Sequence, residues 1–222
     1  MEEKNQPKST TPTGLETLQD IKRIMERSTR FVSLSGLSGL VAGLCALAGA
    51  WFAKNKLHEY RLHYEERNLV ESSDFYRLET DLFITAALVL IAALGSSFYL
   101  TWRKTRENHL PFWDHTSKKL LINITIPLIA GGLFILAMLQ YDEWRFIVPA
   151  CLIFYGLALL NASKYTLIDV RYLGIIEIII GLISTQFIDY GLYFWAGGFG
   201  VIHVFYGIVM WRKYERNQDV VI

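Results

Sequence analysis

Long apolar runs, each nearly free of charge, alternate along this chain with shorter charged segments. Six runs stand out, at about residues 31–53, 82–102, 119–139, 144–162, 170–189 and 191–211. The hydrocarbon core of a bilayer is roughly 30 Å thick, and about 20 helical residues cross it. Runs of that length predict membrane spans. The expected fold is therefore all-α: a polytopic membrane protein with a six-transmembrane-helix bundle over residues 31–211. Short connections at 140–143, 163–169 and 190–191 predict antiparallel neighbours.

The flanks carry a different pattern. Residues 1–12 are polar and rich in Pro, Ser, Thr and Lys, which predicts a disordered tail. Over 13–30, Thr13 and Glu16 have capping-box spacing. Leu15, Leu18, Ile21, Ile24 and Met25 then form one apolar stripe, with Lys22, Arg23, Arg27 and Arg30 around it. That is an amphipathic N-terminal helix, lying on the membrane surface or docked beneath the bundle. Segment 54–81 is charged and has no Pro or Gly, so it predicts helical extensions of the first two spans with a turn near Glu71–Asp74. Residues 212–222 form a second tail.

Charge sets the expected orientation. Of the 22 Lys and Arg, six (Lys54, Lys56, Arg61, Arg67, Arg77, Arg145) flank one side of the bundle, and all the others flank the side that holds both termini. Lys and Arg favour the cytoplasmic side, so both termini are expected to be cytoplasmic. Trp102 and Trp211 then fall at cytoplasmic span ends, and Trp51, Trp144 and Trp195 near the opposite face, as aromatic belts require. The first apolar run is longer than a signal-peptide core and is expected to remain as a span.

Composition adds little. The net charge of +1 points to no nucleic-acid partner. Cys45 and Cys151 lie inside apolar runs, without a disulfide or metal-ligand spacing, and read as small buried hydrophobes. Spans 2, 4 and 6 share a Phe-Tyr step (Phe98-Tyr99, Phe154-Tyr155, Phe205-Tyr206), and spans 2 and 6 end in WRKTREN and WRKYERN. This is consistent with three hairpins of common plan, or with chance likeness among apolar, aromatic-ended helices.

Candidate chemistry concentrates in the last hairpin. Span 5 carries GIIEIIIG, Gly174 to Gly181, around Glu177. Span 6 carries GVIHVFYG, Gly200 to Gly207, around His203. In each octet the two glycines and the ionisable residue share one helix face. Glu177 is 13 residues before Tyr190 and His203 is 13 after it, so antiparallel helices bring them to one level. Small residues allow close helix approach, so the two faces are expected to meet. An acidic group near the bilayer centre costs about 2.5–3.5 kcal/mol on insertion scales and is normally paired or faces a cavity. Burial disfavours the charged forms of Glu177 and His203, and mutual pairing favours them. Such a couple can bind a proton, an ion or a polar ligand group, or serve as a structural interhelical contact.

Other positions read as packing or solvated surface. Ser35, Gly39 and Gly43, and Ala42, Ala46 and Ala50, form small-residue contact faces on span 1. Glu59, His63 and Glu66 share a helix face and have donor types suited to Zn²⁺ or another divalent ion, but Arg61 and Arg67 offer simple ion pairs instead. Asn123, Thr125, Pro127, Pro149 and Asn161 are polar or helix-bending groups expected to find backbone partners in a neighbouring helix. No nucleophile, oriented base and oxyanion donors assemble in the sequence, so an enzyme is the least favoured reading. No cofactor is specified.

The runs LETLQDIKRIMERSTRFVSLSGLSGLVAGLCALAGAW and GGFGVIHVFYGIVMWRKYE resemble a group of uncharacterised bacterial six-span integral membrane proteins. The likeness covers the first span with its preceding helix and the last span. It implies a bacterial cytoplasmic (inner) membrane. Some members are encoded beside winged-helix regulators, which implies a sensing or regulated-stress role and a cytoplasmic regulator as partner. The group has no established activity and transfers no catalytic residue. Two functions follow as expectations: a membrane-embedded sensor or transport component with a polar site at Glu177 and His203, or a structural, homo-oligomeric interaction protein in the lipid bilayer.

Overall fold

A computed structural model describes residues 36–67, 72–107 and 113–214. The tail at 1–12, the amphipathic helix at 13–30 and the end of the chain beyond Tyr214 lie outside the described residues. All regular structure among the described residues is helical. It comprises α1 (Gly36–Arg67), α2 (Ser72–Glu107), α3 (His115–Gln140), α4 (Ile147–Ala162) and α5 (Asp169–Ser184). The last helix is continuous but changes winding: α6 (Gly191–Trp195), a π segment (Ala196–Ile202) and α7 (His203–Tyr214).

Local chemistry explains the ends. Asp114 caps α3, its Oδ1 accepting from the Ser117 amide at 2.7 Å and hydroxyl at 2.8 Å. Partial burial pushes the Asp114 carboxyl up, but these hydrogen bonds outweigh it and hold the group below the ordinary carboxylate value. Helix α3 closes with Asp142 in the left-handed region (φ 57°), and the Glu143 amide returns to the Met138 carbonyl at 2.9 Å. Pro149 sits in the first turn of α4, where its missing N–H leaves no helical bond unmade. Asn123 bonds the Lys119 carbonyl of its own helix at 2.8 Å rather than a neighbour's backbone.

Among the described residues, five helices are long and apolar enough to cross a membrane: Gly36–His63, Asp74–Glu107, His115–Gln140, Trp144–Ala162 and Ile188–Tyr214. The predicted span at 170–189 departs from expectation. Helix α5 has 16 residues, about 24 Å, against a hydrocarbon core of roughly 30 Å. Its stop is local: the Ser184 and Thr185 hydroxyls turn back onto the Gly181 and Leu182 carbonyls at 2.8 and 2.7 Å. Helices α1 and α2, at 32 and 36 residues, far exceed the core thickness, as extensions over 54–81 require.

The helices pack as two groups. Helix α1 lies against α2 on one side and against the π segment and α7 on the other, while α4 lies between α3 and α5. Leu88, Ile91, Leu94 and Phe98 of α2 and Ile122, Ile126, Ile129 and Leu133 of α3 point outward. In water such an apolar exterior would drive aggregation; in a bilayer it is the solvated surface. Exposed Trp51, Tyr141, Trp144, Tyr190 and Tyr193 gather where α1 heads out, α3 ends and the last helix begins, and Tyr99, Trp102, Tyr172 and Trp211 lie toward the other end. Apolar helices of this length and composition mark a multi-pass membrane protein.

Candidate functional site

Both helix groups are built on glycine seams. A Cβ added to Gly156 would stand 2.6 Å from the Gly174 carbonyl, and one on Gly174 2.7 Å from the Gly156 carbonyl. Gly181 backs onto Ile153 and Leu152, with Ile153 Cγ1 at 2.7 Å from the same construction. These glycines let α5 lie directly on α4. The last helix uses its own glycines on α1: Gly200 faces Leu47, and Gly207 faces the backbone of Leu40 and Gly36. Gly39 and Gly43 return the contact toward Gly207 and Val204. The expectation that Gly174 and Gly181 meet Gly200 and Gly207 is therefore corrected. Sequence spacing marks a close-packing face but does not say which neighbour it meets.

The ionisable residues sit at the edge of these glycine faces, where the two groups meet. Glu177 on α5 is 0% exposed and His203 at the start of α7 is 6% exposed. His203 Nδ1 lies 3.3 Å from Glu177 Oε1. It also lies 3.0 Å from the Gly198 carbonyl oxygen in the π segment. The other ring nitrogen, Nε2, is 2.8 Å from the Tyr155 hydroxyl on α4. A carbonyl can only accept, so this geometry calls for a proton on Nδ1 donated to Gly198. The Tyr155 hydroxyl then donates to Nε2 of a neutral imidazole, or accepts from Nε2–H of an imidazolium.

Glu177 is the unsatisfied member. Neither Oε1 nor Oε2 has a hydrogen-bond partner, because the approach of Nδ1 lacks hydrogen-bond alignment. An unpaired buried charge is strongly disfavoured, so the group must be neutralised by a proton, a counter-charge or a ligand. Leu152, fully buried, reaches from α4 to the same glycine, Gly198, that the carboxylate adjoins. Gly198 borders the carboxylate from the last helix: a Cβ there would stand 2.7 Å from Oε2 and 2.5 Å from Leu152 Cδ2. Phe199 flanks Tyr155 and His203 with ring centroids 5.2 and 6.1 Å away.

Tyr155 was visible in the sequence only as one of three Phe-Tyr steps. The structure gives those steps unlike roles. Phe98, Tyr99 and Phe205 are exposed, Phe154 packs on Gly131 and Phe134, and Tyr155 holds His203. The π segment had a compositional signal in Gly197-Gly198-Phe199-Gly200, since three glycines in four residues weaken α-helical winding. Single-turn π insertions recur at functional sites.

Other candidates stay apart. Glu59 and His63 lie on the exposed extension of α1, Glu59 with Lys56 at 3.4 Å, and the Glu66 side chain lies outside the described residues. Among the described residues no three His, Cys, Asp or Glu converge as a metal site. Cys45 and Cys151 are half-buried free thiols. Asp169 accepts from Lys213 at 2.8 and 3.0 Å and from the Tyr214 hydroxyl at 2.7 Å. Partial burial pushes the Asp169 carboxyl up, but these donors outweigh it and hold the carboxyl below its ordinary value. The contact ties the end of α7 to the start of α5.

Searches with the chain match no protein-family model, no curated protein and no solved structure. What the chain defines by itself is a helical, apolar membrane bundle with a sealed acid–imidazole–phenol cluster.

Proposed function

We propose that this protein is a six-span component of a bacterial cytoplasmic membrane, with both termini cytoplasmic. It senses or transports a ligand held at Glu177 and His203, the ligand being a proton, an ion or a small polar group. The observation that carries the reading is Glu177, fully buried with both oxygens unpartnered beside His203. A carboxylate retained only for packing would be expected to have its hydrogen bonds made. Counting α5 as a sixth crossing rests on its antiparallel packing against α4 and on the aromatic residues at both its ends, Tyr172 and Phe187. Local thinning of the bilayer accommodates a short helix at modest cost. The orientation rests on the Lys and Arg asymmetry.

Thermal unfolding of the purified protein in mild detergent tests the site. Protons, monovalent and divalent cations and small amines are varied in turn. A ligand at about 100 times its Kd stabilises by about 2.7 kcal/mol. For a chain of this size that raises the midpoint by about 5–10 °C. The expected result is such a rise with one of these ligands, abolished by Glu177→Gln.

The structural reading has one specific observation in its favour, the His203 bond to the Gly198 carbonyl within the π segment. In that reading no ligand shifts the midpoint, and His203→Ala lowers it under every condition.

A further inference from the structure

We propose that the ligand of this site is a single proton, exchanged with water at the Asp169 end of the bundle through Tyr206, Tyr155 and His203. This rests on the reading of Glu177 and His203 as a binding site and specifies its ligand and its access.

The first argument is volume. Leu152 Cδ2 and Glu177 Oε2 both crowd Gly198 so closely that no methyl group would fit there, and Glu177 has no exposed surface. A hydrated cation or an organic ligand needs room and several donors. A proton needs neither, and it neutralises the carboxylate directly.

The second argument is connectivity. Tyr155 Oη, His203 Nε2, His203 Nδ1 and Glu177 Oε1 follow one another at 2.8 Å and 3.3 Å across the ring. When Tyr155 O–H gives its proton to Nε2, the ring turns its Nδ1–H from the Gly198 carbonyl toward Oε1, 3.3 Å away, and that proton passes to Glu177. Glu177 becomes a neutral acid and His203 the Nε2–H tautomer. The Tyr155 oxygen regains a proton from the Tyr206 side, so the net change is one proton moved inward and no electron transferred. In the product state Glu177 O–H can donate to Nδ1, and Nε2–H can donate to Tyr155. The Gly198 carbonyl then loses its imidazole partner, so protonation bears directly on the π segment.

The third argument is direction. Tyr206 lies one turn beyond His203 on the same helix, about 4.5 Å along the axis. It packs with Tyr214, which bonds Asp169, against the buried cluster of Leu167, Val170 and Met210. Polar groups therefore lead from the pair toward Asp169 and Tyr214. The opposite side is a largely apolar groove of about 620 Å³, lined by Tyr190 and Tyr193 as well as Ile180, Phe187, Val201 and Ile202. Its two hydroxyls make no hydrogen bond to Glu177 or His203. The titratable groups on the elements packed around Glu177 are Tyr155 and Cys151 from α4, Tyr193 from α6, and His203, Tyr206, Arg212, Lys213 and Tyr214 from α7. Of these, Tyr155, His203 and Tyr206 form the chain described.

Infrared spectroscopy of the detergent-solubilised protein tests this. The difference between wild type and Glu177→Gln isolates one carboxylic-acid C=O band as pH is lowered. Transfer to D2O then gives that proton's exchange rate. The expected result is a band present in wild type and retained in Tyr155→Phe and Tyr206→Phe. Its exchange should be slowed by roughly 10²-fold in Tyr155→Phe. Backbone amide exchange in α4, α5 and α7 should stay unchanged, and Val201→Ala on the groove side should leave the band's exchange rate alone.

Absence of the band at every pH, with stabilisation by some other ligand, overturns the proton and leaves the binding site standing. Absence of both the band and any ligand effect overturns the two readings together. A band whose exchange ignores both tyrosines, or quickens in Val201→Ala, overturns the route.

Discussion

The α4–α5 seam and the seam between α1 and the last helix are built alike and end differently. Each brings two backbones together through glycines, Gly156 with Gly174 in one and Gly207 with Gly36 and Gly39 in the other. Each is apolar and fully committed to its own pair. Between them the contact is sparser and mixed: Leu167 and Val170 meet Met210 in an apolar cluster, and Tyr155 and Glu177 from one group meet His203 from the other. Tight apolar seams fix geometry; the looser junction between them is where a polar group survives burial and where a change of protonation can be felt.

The largest expected effects probe the seams. Gly207→Ala drives a methyl into the backbone of Leu40, which cannot retreat, and should destabilise by about 2–3 kcal/mol. Gly132→Ala on α3 meets nothing within 4 Å and should be neutral or stabilising by up to about 1 kcal/mol. Thermal unfolding in one detergent compares them directly. Equal losses at both positions would mean that the seam is not a close contact. Combining Gly174→Ala with Gly207→Ala should give additive losses if the two groups are separate units.

At the junction, His203→Ala strands the Tyr155 hydroxyl and the Gly198 carbonyl. A loss of about 1–3 kcal/mol is expected, against a small change for the isosteric Glu177→Gln. A loss in Glu177→Gln as large as that in His203→Ala would make Glu177 a packing residue.

The Asp169–Lys213–Tyr214 contact ties the groups at one end. Lys213 is half exposed, so Asp169→Asn should cost no more than about 1 kcal/mol. The folded carboxyl titrates below its unfolded value, so its contribution is fully present above about pH 4. It fades as pH falls through the lower folded value. Wild type and Asp169→Asn should converge in acid, and a gap that widens there would contradict the pairing.

The smallest effect lies outside the comparison. Asp142→Gly relieves a left-handed backbone at the end of α3 and should stabilise by about 0.5–1 kcal/mol, while Asp142→Ala should not.

Sequence periodicity by itself determined a helical protein with long apolar helices, and counting from the turn at Tyr190 put Glu177 and His203 at one level. Both are local properties: helical rise and pitch assign depth and face without knowledge of neighbours. The partner of each face was not legible. Gly174 and Gly200 have the same local signature, yet one meets α4 and the other α1, because helix order in the bundle is a non-local result of all the contacts together. Tyr155 lay hidden for the same reason, on a helix separated from His203 by 48 residues. The π segment depended on a glycine cluster whose effect is decided only once the helices are packed. Only the tertiary structure sealed Glu177 without a partner, since burial and hydrogen-bond satisfaction belong to the assembled surroundings and not to the residue.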